Sequence, residues 1–332
     1  MTSATPTAKK KNPLFRALRG LAEDFWYDGP TPDFWVNFTG RLKKTFSFKP
    51  NRAAAKLERL DVSKEEIEAR RHKTAVAATQ WKGTRADILE AMWGKGFHLP
   101  GGNTYIDMLT TPLGLKKEMS VLDVSAGLGS VGRRMALTRG VFTIGLEPDA
   151  TIVPRAKERA IEVDMDVKAP VTAYDPLTFS SEKHYHCILS REFFFKIKNK
   201  PIFFKEIAST LFPDNSPRGQ VTFTDFILED SEAEKPAVKA WLSGEREVFP
   251  VSLEKMRKTM AGAGLDLRVS EEITDKYRRD VLRGFASLAT FLKDHEPDEE
   301  TKRLVLTEMR VWSLRAAAMK QGLKIFRFYA IR

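Results

Sequence analysis

A chain of 332 residues, 42% of them hydrophobic, is long enough for one large α/β domain with additions. Its one cysteine, Cys187, excludes an intrachain disulfide framework and a multi-cysteine zinc site. No apolar run is long enough to cross a membrane and no signal-peptide core opens the chain, so a cytoplasmic protein without a metal centre is expected.

The charge of +11 is unevenly spread: residues 1–56 hold eleven Lys or Arg against four Asp or Glu. That stretch also carries Phe15, Phe25, Trp26, Phe34, Trp35, Phe38, Phe46 and Phe48, with Leu14, Leu18, Leu21 and Phe25 at helical spacing. Aromatics set among basic residues suit an anionic membrane surface, which leaves membrane association open. A protein partner, or packing on the chain's own domain, accounts for them as well. Nucleic acid would match the charge, but no nucleic-acid motif accompanies it and such a partner is not expected.

Pro30, Pro32 and Pro50 break this basic arm, taken as residues 1–62, into pieces. Ser63 with Glu66 forms a capping box that predicts a helix to about Thr79. A second helix is predicted from Arg85 to Met92, and Gly94 to Asn103 reads as a loop. Residues 63–118 are thus expected to form a helical cap and entry loop. Beyond them strand and helix alternate. Strands are predicted near 120–124, 142–146, 162–165, 186–190, 219–226, 265–271 and 323–331. Helices are predicted near 130–138, 151–160, 200–211, 252–263, 277–293 and 299–319. This alternation predicts an α/β, Rossmann-like domain over 119–332: a seven-stranded, mostly parallel sheet with helices on both faces.

The chemistry concentrates at Val121 to Gly132, where an apolar run ends in Asp123 and a turn of small residues follows: Ser125, Ala126, Gly127 and Gly129. In open α/β sheets ligands sit beyond the carboxyl ends of the strands, and small residues let them approach the backbone. The next apolar run, Val141 to Leu146, ends in Glu147, an acid placed to accept hydrogen bonds from two ribose hydroxyls. A dinucleotide shares this logic, but the phosphate-binding form G-x-G-x-x-G needs a glycine where Ser125 stands. A strand–turn–helix without ligand is the plain alternative.

The turn with Glu147 resembles the nucleoside half of class I S-adenosylmethionine (SAM)-dependent methyltransferases. Further stretches resemble one such family, the phosphoethanolamine N-methyltransferases. They are Gly94-Lys95-Gly96-Phe97 with Pro100-Gly101-Gly102, Ser190-Arg191-Glu192 with Asn199-Lys200, Thr224-Asp225-Phe226, Trp312-Ser313, and the closing Phe326-Arg327-Phe328-Tyr329. The likeness spans about residues 80–332. It implies the class I methyltransferase fold, SAM as cofactor, and cofactor contacts at Asp123, Gly127, Glu147, Asp175 and Arg191, with Ser125 and Gly129 completing the turn. Asp175-Pro176 is also an ordinary turn starter.

The same likeness exposes departures. Trp81 falls where the family has a catalytic tyrosine, and Lys196 where it has a histidine. Phe226 and Val248 replace phosphate-binding tyrosines, whereas Arg246 and Arg315 fall on basic phosphate contacts. Trp81 cannot serve as a base. Lys196 is protonated near neutrality unless desolvation lowers its pKa, so Glu192 is the better acid/base candidate. Phe193, Phe194 and Phe195 beside it either line an apolar pocket or belong to the core. The expected acceptor is therefore a small or lipid-like nucleophile contacted by Trp81, Phe226, Arg246 and Arg315. The competing expectation is a catalytically degraded relative serving as a binding or assembly factor.

Overall fold

The computed structural model describes residues 80–212 and 218–332. The basic arm and the helix predicted from Ser63 lie outside the described residues. In chain order the helices are α1 (Arg85–Trp93), α2 (Gly102–Thr110), α3 (Ser130–Arg139), α4 (Val153–Ile161), α5 (Lys200–Thr210), α6 (Pro236–Gly244), α7 (Leu253–Gly262), α8 (Thr274–Asp294) and α9 (Glu299–Lys320). The strands are β1 (Ser120–Asp123), β2 (Phe142–Glu147), β3 (Val171–Ala173), β4 (Cys187–Arg191), β5 (Gln220–Ile227), β6 (Asp266–Glu272) and β7 (Lys324–Ile331).

The strands form one sheet in the order β3-β2-β1-β4-β5-β7-β6, parallel except for β7, which runs antiparallel to β5 and β6. Strands β4 and β5 are buried along their whole length, as a parallel sheet covered on both faces requires. Alternation sorts their side chains. Leu122, Ile188, Val221 and Phe223 join Phe204 and Ile207 of α5 and Met256 and Met260 of α7 on one face. Val121, Cys187 and Leu189 join Ile106 and Leu109 of α2 and Val131 and Met135 of α3 on the other. Each such side chain, fully buried, contributes about 1.5–3 kcal/mol. Cys187 is one of them, and burial pushes its thiol pKa up, as an inert cysteine requires.

Six of the seven strands fall within a residue or two of their predicted positions. The third does not. Residues 162–165 form the turn that ends α4: Glu162 is the C-cap, Asp164 takes φ 55°, and the Met165 N–H returns to the Ala160 carbonyl. Strand β3 instead follows Pro170, where Val171 pairs with Gly145. It is a three-residue edge strand with only Val171 buried, too short to show alternation. The stretch read as a loop to Asn103 already enters α2 at Gly102, behind the left-handed Gly101. Helix α6, opened by Pro236, has no predicted counterpart.

The described residues belong to two compact units. The larger takes in residues 84–288 and 304–332, and so joins 84–118 to the sheet. The smaller holds residues 80–83 with 289–303. Within it the Trp81 N–H donates to the Glu296 carbonyl at 2.7 Å, and the indole meets Phe291 edge-on at 4.9 Å. Among the described residues no helix is long and apolar enough to cross a membrane.

Candidate functional site

Strand β1 delivers Asp123 to its carboxyl end, and the chain turns back through Val124 to Gly129. Two backbone bonds pin this turn between the neighbouring strands: Val124 N–H to the Leu189 carbonyl and Ala126 N–H to the Leu146 carbonyl, both 3.0 Å. Gly127 and Gly129 take φ 56° and 75°, which other residues adopt only with strain. Ser125 stands where a first glycine was sought, and its hydroxyl has a use: it accepts the Arg191 N–H at 2.7 Å and lies 3.1 Å from the Ser190 hydroxyl. It ties the β1 turn to the β4 exit.

Glu147 closes β2 beside this turn. One carboxylate oxygen accepts the Gly127 N–H at 2.5 Å, the other the Asp149 N–H at 2.8 Å. Each oxygen keeps a lone pair for a further donor. Burial pushes the Glu147 pKa up to about 7 against these backbone bonds. Asp123 is in the same position. Its Oδ1 accepts the Ser125 N–H at 3.0 Å, its buried Oδ2 has no partner, and burial takes its pKa to about 7. Asp175 is exposed after β3 and accepts the Leu177 N–H at 2.9 Å, capping a short 3₁₀ turn. The neighbouring Tyr174 reaches further, its hydroxyl donating to the Val124 carbonyl at 2.8 Å.

The loop between α1 and α2 lies against the glycine turn. The Gly96 N–H donates to Glu90 at 2.7 Å, Arg133 donates to the Gly96 carbonyl at 2.9 Å, and Arg191 donates to the Pro100 carbonyl at 2.8 Å. Between these anchors His98 sets its ring on Gly127, where a Cβ would come within 1.9 Å of it. Its Nδ1 is buried without a partner. Burial, then the charges of Arg191, Arg85 and Arg133, hold its pKa well below the usual range, so the imidazole is neutral. The sequence marks this loop by its glycines and Pro100 but gives no sign that the histidine between them is the contact.

Beyond β4 a second cluster is buried. Glu192 takes φ 46°, a left-handed conformation held by its N–H to the Thr224 carbonyl at 2.7 Å. Its Oε1 accepts the Thr224 hydroxyl at 2.9 Å, with the Tyr105 hydroxyl 3.5 Å away, while its Oε2 makes no hydrogen bond and faces Arg191 Nε at 3.8 Å. Burial raises its pKa against the adjacent Arg191. The Arg191 guanidinium lies over the Tyr105 ring at 4.4 Å, and its Nε and Nη1 make no hydrogen bond. Tyr277 adds another buried, unpartnered hydroxyl. Buried polar atoms are rarely left without partners, and several such atoms gather here.

The remaining expected residues divide. Phe226 is fully buried against Phe195, Trp241 and Tyr277. Phe193, Phe194 and Phe195 are likewise core. The Arg315 guanidinium is held by Glu245 through Nε at 2.9 Å and Nη2 at 2.6 Å. Lys196 donates to the same carboxylate at 2.7 Å and to the Arg246 carbonyl at 2.6 Å. The Arg246 side chain itself is exposed. Glu245, absent from the sequence reading, gathers Arg315 and Lys196 from positions far apart in the chain. Trp81 belongs to the smaller unit. Among the described residues no group of side chains is arranged to hold a metal ion.

No protein-family model matches the chain. It is 26% identical over 200 residues to phosphoethanolamine N-methyltransferase 1 of Triticum aestivum, covering 60% of this chain and 39% of that protein. It is 31% identical over 104 residues to the sterol 24-C-methyltransferase erg-4 of Neurospora crassa, covering 28% of this chain and 27% of the other. The chain spans about two fifths of the length of the phosphoethanolamine N-methyltransferases it matches. Among solved structures, Haemonchus contortus phosphoethanolamine N-methyltransferase 2, in complex with phosphomonomethylethanolamine and S-adenosylhomocysteine, matches with a TM-score of 0.64 at 20% identity, over 77% of this chain and 59% of that one. The cyclopropane synthase MmaA2 from Mycobacterium tuberculosis matches with a TM-score of 0.58 at 18% identity, over 69% and 83%. With the sheet order and the turn geometry, these likenesses give the chain the class I SAM-dependent methyltransferase fold, with a sequence similar to the phosphoethanolamine N-methyltransferases.

Proposed function

We propose that the chain is a SAM-dependent methyltransferase acting on an amine or other nucleophile of a small acceptor. The observation that carries this reading is the placement of three buried carboxylates, Asp123, Glu147 and Glu192, at the carboxyl ends of β1, β2 and β4. That is the ligand-binding edge of an open α/β sheet. The residues fit the cofactor. Glu147 keeps a lone pair on each oxygen for the ribose hydroxyls, Gly127 admits close approach of the backbone, and the Asp123 Oδ2 and Arg191 N–H groups that make no hydrogen bond lie along the same edge. When bound, SAM supplies an electrophilic methyl group.

The chain's own contribution is orientation and proton handling. Thr224 fixes one oxygen of Glu192 and leaves Oε2 to accept a proton from the acceptor or to hold its N–H or O–H in line. Burial raises the Glu192 pKa, which makes its carboxylate a stronger base than a free one. Burial lowers the Lys196 pKa against the pull of Glu245, but its Nζ is held by that carboxylate and by the Arg246 carbonyl, so Glu192 is the better base. In an assay following labelled methyl from SAM into candidate acceptors, Glu192→Gln lowers turnover about 10²–10⁴-fold while S-adenosylhomocysteine affinity stays within a few-fold. Equal turnover by wild type and variant contradicts the assignment. The commitment of Lys196 to Glu245 also favours a second reading, a methyltransferase fold that binds without catalysing. Cofactor binding with no transfer to any acceptor supports that one.

A further inference from the structure

We infer that Glu245 supplies the chain's own anion to Arg315 and Lys196, and that the methyl acceptor therefore carries no phosphate or carboxylate there. The inference rests on the methyltransferase reading and deepens it to a substrate class: an amine or hydroxyl nucleophile without an anionic tail.

Four donors converge on the Glu245 carboxylate. Oε1 takes Lys196 Nζ at 2.7 Å and Arg315 Nη2 at 2.6 Å; Oε2 takes Arg315 Nε at 2.9 Å and Trp241 Nε1 at 2.8 Å. This fills its acceptor capacity and occupies the guanidinium fork that would otherwise grip a phosphate bidentately. The carboxylate side chain is 4% exposed. The guanidinium is also walled by the rings of Trp312, Phe195 and Phe226 at 4.7, 5.4 and 5.6 Å. Burial alone would raise the Glu245 pKa, but Arg315 and Lys196 outweigh it and bring it to about 2, so the anion persists at any physiological pH. Arg246, the other basic residue expected at a phosphate, contributes only its carbonyl. An incoming phosphate would have to displace a buried, bidentate carboxylate from both cations. The groups nearby that still lack a hydrogen bond, Glu192 Oε2 and the Tyr277 hydroxyl, instead match an N–H or O–H.

The test is calorimetric titration of the full chain with inorganic phosphate, and of the S-adenosylhomocysteine-loaded chain with phosphoethanolamine. The expected result is no saturable binding of either by wild type. Glu245→Gln, which frees Arg315 and Lys196, is expected to bind phosphate at least tenfold more tightly than wild type. Saturable phosphoethanolamine binding by wild type overturns the proposal, as does a folded Glu245→Gln with no gain in phosphate affinity. If that variant does not fold, the wild-type titration decides alone. The phosphate arm needs no cofactor, so failure of S-adenosylhomocysteine to bind sinks the methyltransferase reading and leaves the assignment of Glu245 separately tested.

Discussion

The ribose role proposed for Glu147 has a measurable signature in its titration. Burial raises its pKa from the ordinary 4.5 to about 7, so near neutrality the free protein holds part of a proton there. Ribose hydroxyls donate, and therefore prefer the ionised carboxylate. Binding then releases the proton, and affinity for S-adenosylhomocysteine falls as pH drops from about 8 through 7 to 6, by at most tenfold per unit for this group. Asp123, raised to the same range, adds its own dependence. Calorimetry across this window is expected to show a slope that Glu147→Ala reduces; an unchanged slope in the variant means that another group titrates. Asp123, Gly127 and Glu147 were legible in the sequence because a strand end, a small-residue turn and a following acid form a local pattern. Glu245 was not, because its meaning lies in Arg315, 70 residues away, and in an ion pair that no spacing predicts. His98 was missed for a related reason: a single histidine between two recognisable glycine clusters carries no pattern of its own.

At the scale of elements, the site is made by two loops held face to face. The α1–α2 loop is fixed at Gly96 and Pro100, and His98 between them rests on the β1 turn at Gly127. Gly127→Ala adds a methyl where the ring lies and forces a side chain into φ 56°, the latter alone costing about 1–2 kcal/mol. Replacing His98 by alanine removes the obstruction but not the backbone strain. A double-mutant cycle by denaturant unfolding is therefore expected to give a coupling of about 0.5–3 kcal/mol, with the double variant less destabilised than the sum of the singles. Additive effects would mean that the loops do not touch there. The long periodic helices α8 and α9 and the apolar strands β4 and β5 were readable because their burial writes a regular pattern. Strand β3 was not: the β-branched Val163 beside Met165 imitates a strand, and the real one has a single buried residue. Helix α2 was obscured by the glycines that open it, Gly101 and Gly102.

For the molecule as a whole, the sheet order sets β1 between β2 on one side and β4 on the other. Crossovers leave in opposite directions from β1, and such a reversal opens a crevice beyond the strand ends. Asp123, Glu147 and Glu192 come to one edge because these three strands are neighbours, though the residues are far apart in sequence. In our proposal this edge takes the cofactor, while Glu245 neutralises Arg315 and Lys196. The central claim is that this edge holds SAM, and it is tested most directly by titrating the full chain with S-adenosylhomocysteine by calorimetry, wild type beside Glu147→Ala. The account predicts saturable one-site binding by wild type and at least tenfold weaker binding by the variant, with both proteins folded. Absence of binding to folded wild type, or equal affinity in the two, would contradict it.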